Sequence, residues 1–592
     1  MFEKKKEEKE LIKRLDKKQW LLMIISVIFI ALQVFLDLKI PDYMSNITSL
    51  LQTEGTKVSD LYIPGGKMLL CAFGSLVSAV IVGYVISFIA SSFSRNLRKD
   101  IFSKVMDFGM EEIKKFSTSS LITRTTNDVT QVRMLLSMGL QMLIKAPITA
   151  IWAILKILGK SFEWSIVTAV AVCILLLIIS VIVIFAIPKF KIIQKLTDNL
   201  NRITLEGLKG IRVVKAYNAE EYQESKFEKA NDELASTHLF TQKIMSIMSP
   251  GMYLIMNGLT LSIYFIGAIL LNSASMMDRI GIFSDMIVFS SYAMQVVMSF
   301  MMLSIVFIMY PRASVSAKRI LEVLNTSSKI HDGSVLSTKN RGTVEFKNVS
   351  FKYPDAEEYM LRNISFKANK GDEIAIIGST GCGKSTLINL IPRFYDASSG
   401  EVLVDGVNVK DYNLESLYNK ISYVPQKTVI FSGTVRDNIC YGNNTKGEIT
   451  DDEMRKSAEV AQASDFINKM ENGYDAHIAQ GGTNISGGQK QRLAIARAIA
   501  RDPEIYIFDD SFSALDYKTD YLLRKKLKEY TKNATLFIVA QRIGTIKNAD
   551  KIIVLDDGVC VGMGKHQELL KNCKVYKEIA LSQLSKEELE NE

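Results

Sequence analysis

The chain is poor in the residues that mark several function classes. Its six cysteines, Cys71, Cys173, Cys382, Cys440, Cys560 and Cys573, form no C-x-x-C pair and no regular spacing. Neither a disulfide framework nor a thiolate zinc site is therefore expected. Met1 to Gln19 is densely charged and lacks a small-residue cleavage site before the first apolar run, so a removable signal peptide is not expected. No apolar run carries an acidic cluster suited to metal or peptide cations. The net charge of +9 is no nucleic-acid signature either, because the positive residues flank apolar runs. That placement suits loops facing anionic membrane lipid, and no nucleic-acid partner is expected.

Hydrophobic residues make up 48% of the 592 positions and crowd into the first half. Six runs approximate the ~20 residues a membrane helix needs: Trp20 to Leu36, Met68 to Phe93, Met134 to Leu158, Trp164 to Ile187, Met252 to Leu271 and Phe283 to Tyr310. Residues 1 to 19 hold eight Lys/Arg and the loop from Pro41 to Lys67 holds two, which predicts a cytoplasmic N-terminus. Six crossings return the chain to the same side. The connections Ser94 to Arg133 and Pro188 to Ser249 are polar, mostly Gly- and Pro-poor, and read as helical extensions of the spans. Each is expected to double back through a short crosswise helix, at Ser117 to Asp128 and Val213 to Ser225. Lys145, beside Pro147 in the third span, is costly in lipid and is expected to snorkel or pair. Asn257 in the fifth span is expected to pack between helices. The sixth span carries Met286, Met294, Met298, Met301, Met302 and Met309 with Tyr292 and Phe300. Such a set suits either an adaptable apolar cavity or a lipid-facing helix.

The second half changes character. A linker is predicted over 321–341, separating a membrane domain at 1–320 from a soluble domain at 342–592. Val344 to Tyr353 alternates with period two, and strand and helix patterns then alternate to the end, the mark of an α/β nucleotide-binding domain. After the apolar run Ile374 to Ile377 comes Gly378-Ser379-Thr380-Gly381-Cys382-Gly383-Lys384-Ser385-Thr386, a complete G-x-x-x-x-G-K-[ST] loop. Backbone N–H groups of such a loop surround phosphate oxygens, Lys384 reaches the terminal phosphates and Ser385 ligates Mg²⁺, so ATP and Mg²⁺ are the expected cofactors. The same environment is expected to favour the thiolate of Cys382 and leave it open to labelling. Asp509, closing the run Ile505 to Phe508, is placed to organise Mg²⁺ through water. A second phosphate receptor follows from Ile485-Ser486-Gly487-Gly488-Gln489, ahead of the helical run Leu493 to Ala500. One domain does not readily fold both receptors onto one nucleotide, so the two are expected to serve different ones.

At this point the chain resembles the ATP-binding-cassette family, and its whole length resembles the exporter class: six spans and one cassette. The resemblance implies head-to-tail pairing of two cassettes, with each signature loop capping ATP held by the other. It also implies a multi-pass protein of the plasma membrane with the cassette in the cytoplasm. By the same resemblance Tyr353 stacks on adenine, Gln426 touches Mg²⁺ and signals to the spans, and Ser513-Ala514-Leu515-Asp516 is the loop between the two sites. Three positions depart from the family pattern. Asp510 stands where a hydrolytic enzyme has Glu, and is shorter by one methylene, about 1.5 Å of reach to the attacking water. Gln541 replaces a His and cannot carry charge. Gln480 replaces a carboxylate just before the signature. Two losses at the hydrolytic step beside an intact signature imply the degenerate half of a heterodimeric multidrug exporter, whose partner half keeps the Glu and the His. A homodimeric exporter with slow hydrolysis and a lipid flippase or lipid exporter remain the alternatives. The substrate expected is a hydrophobic small molecule or a lipid.

Overall fold

A computed structural model describes residues 14–52, 56–158, 161–275, 278–442 and 447–583. Most of the basic N-terminal segment behind the orientation argument lies outside the described residues. The chain divides into two compact units. One comprises Met1–Met106 and Phe116–Thr326, the other Asp107–Lys115 and Ser327–Glu592.

In the first unit six helices are long and apolar enough to cross a membrane: Lys17–Leu51, Val58–Met106, Thr118–Leu158, Phe162–Lys209, Glu220–Ser273 and Asp278–Asn325. Each contains one of the predicted spans, and the second to fifth extend into the polar connections Ser94 to Arg133 and Pro188 to Ser249, as expected of helical extensions. Their apolar residues divide between two jobs. Ile30, Val34, Val82, Ile86, Phe289 and Val296 are buried together between helices. Leu21, Phe73, Leu177, Leu254 and Phe265 are exposed, giving the outer surface a shell that suits lipid rather than water. Proline is tolerated inside these helices at positions 41, 64, 147, 188 and 311, since neighbouring helices can satisfy the freed backbone groups.

The predicted crosswise helices are misplaced. The separate short helix before the third span is Met110–Phe116, not Ser117 to Asp128. Ser117 is a cap, accepting from the Ser120 N–H at 3.4 Å, and its φ of +56° breaks the chain there. The helix it opens does not stop at Asp128, however, and continues through π-helical turns at Arg124–Asp128 and Leu135–Gly139 into the span. Arg124 fastens this stretch, donating to Glu322 Oε2 at 2.7 Å and to the Arg319 carbonyl at 2.6 Å on the extension of the sixth span. In the second connection the short helix is Ile211–Ala216, overlapping only the start of Val213 to Ser225, because a long helix already begins at Glu220.

Three further expectations about the spans meet their outcome here. Lys145 pairs with Asp37 at 3.5 Å, as the cost of an isolated charge demanded. Asn257 is exposed rather than packed between helices. Tyr292 and Met286 are core residues, not cavity lining: the Tyr292 hydroxyl donates to the Leu38 carbonyl, and Met286 packs against Gly267.

The second unit is built on a six-stranded sheet in the order Val559–Gly564, Lys551–Asp556, Glu373–Gly378, Thr535–Val539, Ile505–Asp509, Ile421–Val424. Only the first pair is antiparallel. Both faces of the parallel part are covered. Ile374 and Ile376 enter one core with Ile505, Ile507 and Phe537, while Ala375 and Ile377 enter the other with Tyr506, Phe508 and Ile538. That is why these strands read as continuous apolar runs. A separate antiparallel sheet of four strands carries Val344–Phe351 between Leu361–Ala368 and Ser399–Val404. The sixth-span helix continues to Asn325, so the start of the expected linker is helical.

Candidate functional site

The phosphate loop leaves the C-terminal end of the strand Glu373–Gly378 and enters the helix Lys384–Asn389, the place where open α/β sheets bind ligands. Glycine is required at both ends of the loop. A Cβ on Gly378 would lie 2.0 Å from the Leu555 carbonyl oxygen, and Gly383 has φ +99° with Leu361 behind it. Lys384 Nζ donates to the carbonyls of Gly378 and Ser379, at 2.8 and 2.7 Å, which holds its ammonium over the loop. Thr380 and Gly381 form the exposed crest. Cys382, by contrast, is 3% exposed and belongs to the core beneath the loop. The expectation of an accessible thiol is corrected accordingly.

Parallel pairing brings the ends of neighbouring strands to this loop. Ser385 Oγ donates to Asp509 Oδ1 at 2.9 Å, and the Tyr423 hydroxyl donates to Asp509 Oδ2 at 3.3 Å. Burial pushes the Asp509 carboxyl above its ordinary value, against the two hydroxyl donors. The next residue, Asp510, sits at φ +48°, and its N–H donates to the Val539 carbonyl. Gln541 Nε2 donates to Asp510 Oδ2 at 2.8 Å and Gln426 Nε2 donates to the same oxygen at 3.4 Å. Burial raises this carboxyl too, opposed by the two amide donors. Asp510 is thus in direct contact with both Gln426 and Gln541.

The signature segment is a capped helix start. Ser486 Oγ accepts from the Gln489 N–H at 3.3 Å while Gln489 Oε1 accepts from the Ser486 N–H at 2.8 Å, a capping box opening Gly487–Ala500. Ile485 is partly buried as the anchor, whereas Ser486 and Gly487 are exposed, with no atom within 4 Å of a Cβ placed on Gly487. The loop Ser513 to Asp516 lies against this helix. Ser513 Oγ donates to the Asp510 carbonyl at 2.9 Å, Leu515 is buried, and Asp516 caps the next helix by accepting from the Thr519 N–H. Gln480 is exposed, and nothing in the structure explains the glutamine there.

Residues 23–326 match the ABC transporter transmembrane region and residues 361–513 match the ABC transporter family proper. The chain belongs to the ABC transporter family. It is 38% identical to an ABC transporter ATP-binding protein of Mycobacterium tuberculosis, over 88% of this chain and 87% of that one. It is 35% identical to another of Bacillus subtilis, over 89% and 90%. The ATP-dependent lipid A-core flippase of Escherichia coli is 32% identical over 87% and 86%. A bacterial Atm1-family ABC exporter solved with ATP bound shares the fold, with a TM-score of 0.82 at 23% identity, covering 96% of this chain and all of that one. This ABC transporter chain joins one multi-pass membrane domain to one cytoplasmic ATP-binding cassette.

Three contacts of this ABC chain had no motif to announce them. Thr386 Oγ1 and the Tyr353 hydroxyl are 3.0 Å apart, joining the strand-end tyrosine to the phosphate loop. Gln491 Oε1 accepts from the Ala514 N–H at 3.2 Å, tying the signature helix to the inter-site loop. Lys114 lies over the Tyr353 ring. Thr386, Tyr353 and Ala514 were named from the sequence, but Gln491 and Lys114 lie outside the motifs quoted there.

Proposed function

We propose that this chain is the half of a heterodimeric multidrug exporter that carries the degenerate ATP site, and that it lends an intact signature loop to the competent site of its partner. The observation that carries this reading is the state of Asp510. One of its oxygens is engaged by the amides of both Gln541 and Gln426, and its side chain is a methylene shorter than the glutamate such a reaction uses. A general base needs a free lone pair within hydrogen-bond reach of the water it deprotonates. Asp510 falls short in reach, and its nearest neighbours are neutral amides where an imidazole would supply charge.

Binding is a different matter. Residues Gly378 to Thr386 supply the phosphate cradle, with Lys384, held over the loop by the Gly378 and Ser379 carbonyls, to reach the terminal phosphates, and with Tyr353 as the adenine platform. Ser385, Asp509 and Gln426 present hydroxyl, carboxylate and amide oxygens, the hard donors that Mg²⁺ prefers, and would hold it, Asp509 through water. Bound there, Mg²⁺ would neutralise charge on the phosphates. Ile485 to Gln489 offer an exposed helix N-terminus to a second nucleotide. Ser513 to Asp516 connect the two, since Ser513 is bonded to the degenerate carboxylate residue and Ala514 to the signature helix. Two ATP close the cassettes, the connections between spans carry the closure, and hydrolysis at the partner's site resets the cycle.

The test is ATPase of the purified chain alone and together with a second exporter half that retains Glu and His. Negligible turnover alone, restored by the partner, supports the reading; robust turnover by the isolated homodimer contradicts it. A second reading, lipid export, is favoured by the likeness to the lipid A-core flippase. Lipid-stimulated ATPase without dye efflux from proteoliposomes would select it.

A further inference from the structure

Lys114 belongs to the short segment Asp107–Lys115, which groups by packing with the cassette although it lies in sequence between the second and third spans. The segment is fastened at its start. Glu111 pairs with Lys329, and Glu112, 4% exposed, accepts from the Lys329 N–H at 3.2 Å. Its far end places Lys114 Nζ 4.6 Å from the centroid of the Tyr353 ring and 5.9 Å from that of Tyr395. No carboxylate pairs with Lys114 among the described residues. The ring beneath it is held from several sides: its hydroxyl by Thr386, and its plane by Phe351 at 4.9 Å and Tyr395 at 5.4 Å, both near perpendicular.

An ammonium on one face of a tyrosine draws π density toward itself. The opposite face becomes less electron-rich, which favours offset stacking with an electron-rich purine. We propose that Lys114 is a positioning residue for the nucleotide base, strengthening adenine stacking on Tyr353 from the far side of the ring. ATP binding is thereby linked to the segment between the second and third spans. The inference rests on the reading of Tyr353 as the adenine platform.

The experiment is calorimetric titration of the full-length chain in nanodiscs with ATP, ADP and inorganic tripolyphosphate. Lys114→Met should weaken ATP and ADP alike by about two- to five-fold, the scale of an exposed cation–π contact. Tripolyphosphate affinity should be unchanged, Lys114→Arg should restore the wild-type values, and in a Tyr353→Leu background Lys114→Met should have no further effect. Equal weakening of ATP and tripolyphosphate would mean that Lys114 acts by attracting phosphate, and would overturn the inference. So would tighter ATP binding by Lys114→Met, or an undiminished effect without the Tyr353 ring. If Tyr353→Leu leaves ATP affinity intact, the platform reading itself fails. If only Lys114→Met is silent, the platform stands and Lys114 is dismissed.

Discussion

Lys156 Nζ lies 2.8 Å from Asp42 Oδ2, so the helix of the third span is tied to that of the first by a partly buried ion pair. Tyr292 of the sixth span donates to the other oxygen of Asp42, and one and a half turns deeper Asp37 pairs with Lys145 and accepts from Ser75. Charges placed there are costly unless matched.

Removing one partner is therefore expected to cost more than removing both. Lys156→Met should lower stability by ~1 to 2 kcal/mol, below the usual figure for a fully buried pair because the side chain is 34% exposed. The Asp42→Asn/Lys156→Met double variant should regain part of that loss. Thermal melting of the detergent-solubilised protein by intrinsic fluorescence measures both. Additive losses would show that the pair is not coupled.

Gln491 offers a second test, in the cassette. Gln491→Leu leaves the Ala514 N–H without its acceptor in a part-buried position, a loss of about 1 to 3 kcal/mol. Because that bond ties the inter-site loop to the signature helix, ATPase of the proposed heterodimer should fall as well. Denaturant titration and steady-state turnover of one preparation give the two quantities, and unchanged turnover would detach the loop from the cycle.

Cys382 gives a third. At 3% exposure its thiol should react with maleimide only as fast as the cassette opens, with or without nucleotide, and should become reactive on unfolding. Fast labelling of the native protein would place the thiol outside the core.

Much of this was legible in the chain, and the reasons are local. The six spans follow from runs longer than any soluble helix needs, and the parallel strands from short apolar runs such as Ile374 to Ile377. The loop glycines Gly378 and Gly383 are tied to their positions by steric demands that any sequence must meet. What escaped were contacts between distant residues. Nothing near Ser117 announces that Arg124 will reach Glu322, a pairing on the stretch where the helix runs through the predicted turn. Nothing in the pattern of the second span indicates that Lys114 will lie on a tyrosine of the cassette. Cys382 was misread because the loop's motif marks its backbone as phosphate-facing, while the side chain at that position points into the core.

The central claim is that this chain's own ATP site is degenerate while its signature serves a competent one, and two variants of the assembled heterodimer separate those roles. Asp510→Asn should lower steady-state ATPase only modestly, because that carboxylate is already poorly placed for hydrolysis. Ser486→Arg should lower it by about 10² to 10³, the scale of losing a transition-state hydrogen-bond donor, because a bulky cation would fill the receptor over the partner's nucleotide. Both are read against wild type after folding and assembly have been verified. A loss from Asp510→Asn as large as that from Ser486→Arg would show that this site is catalytic and that the two sites are equivalent.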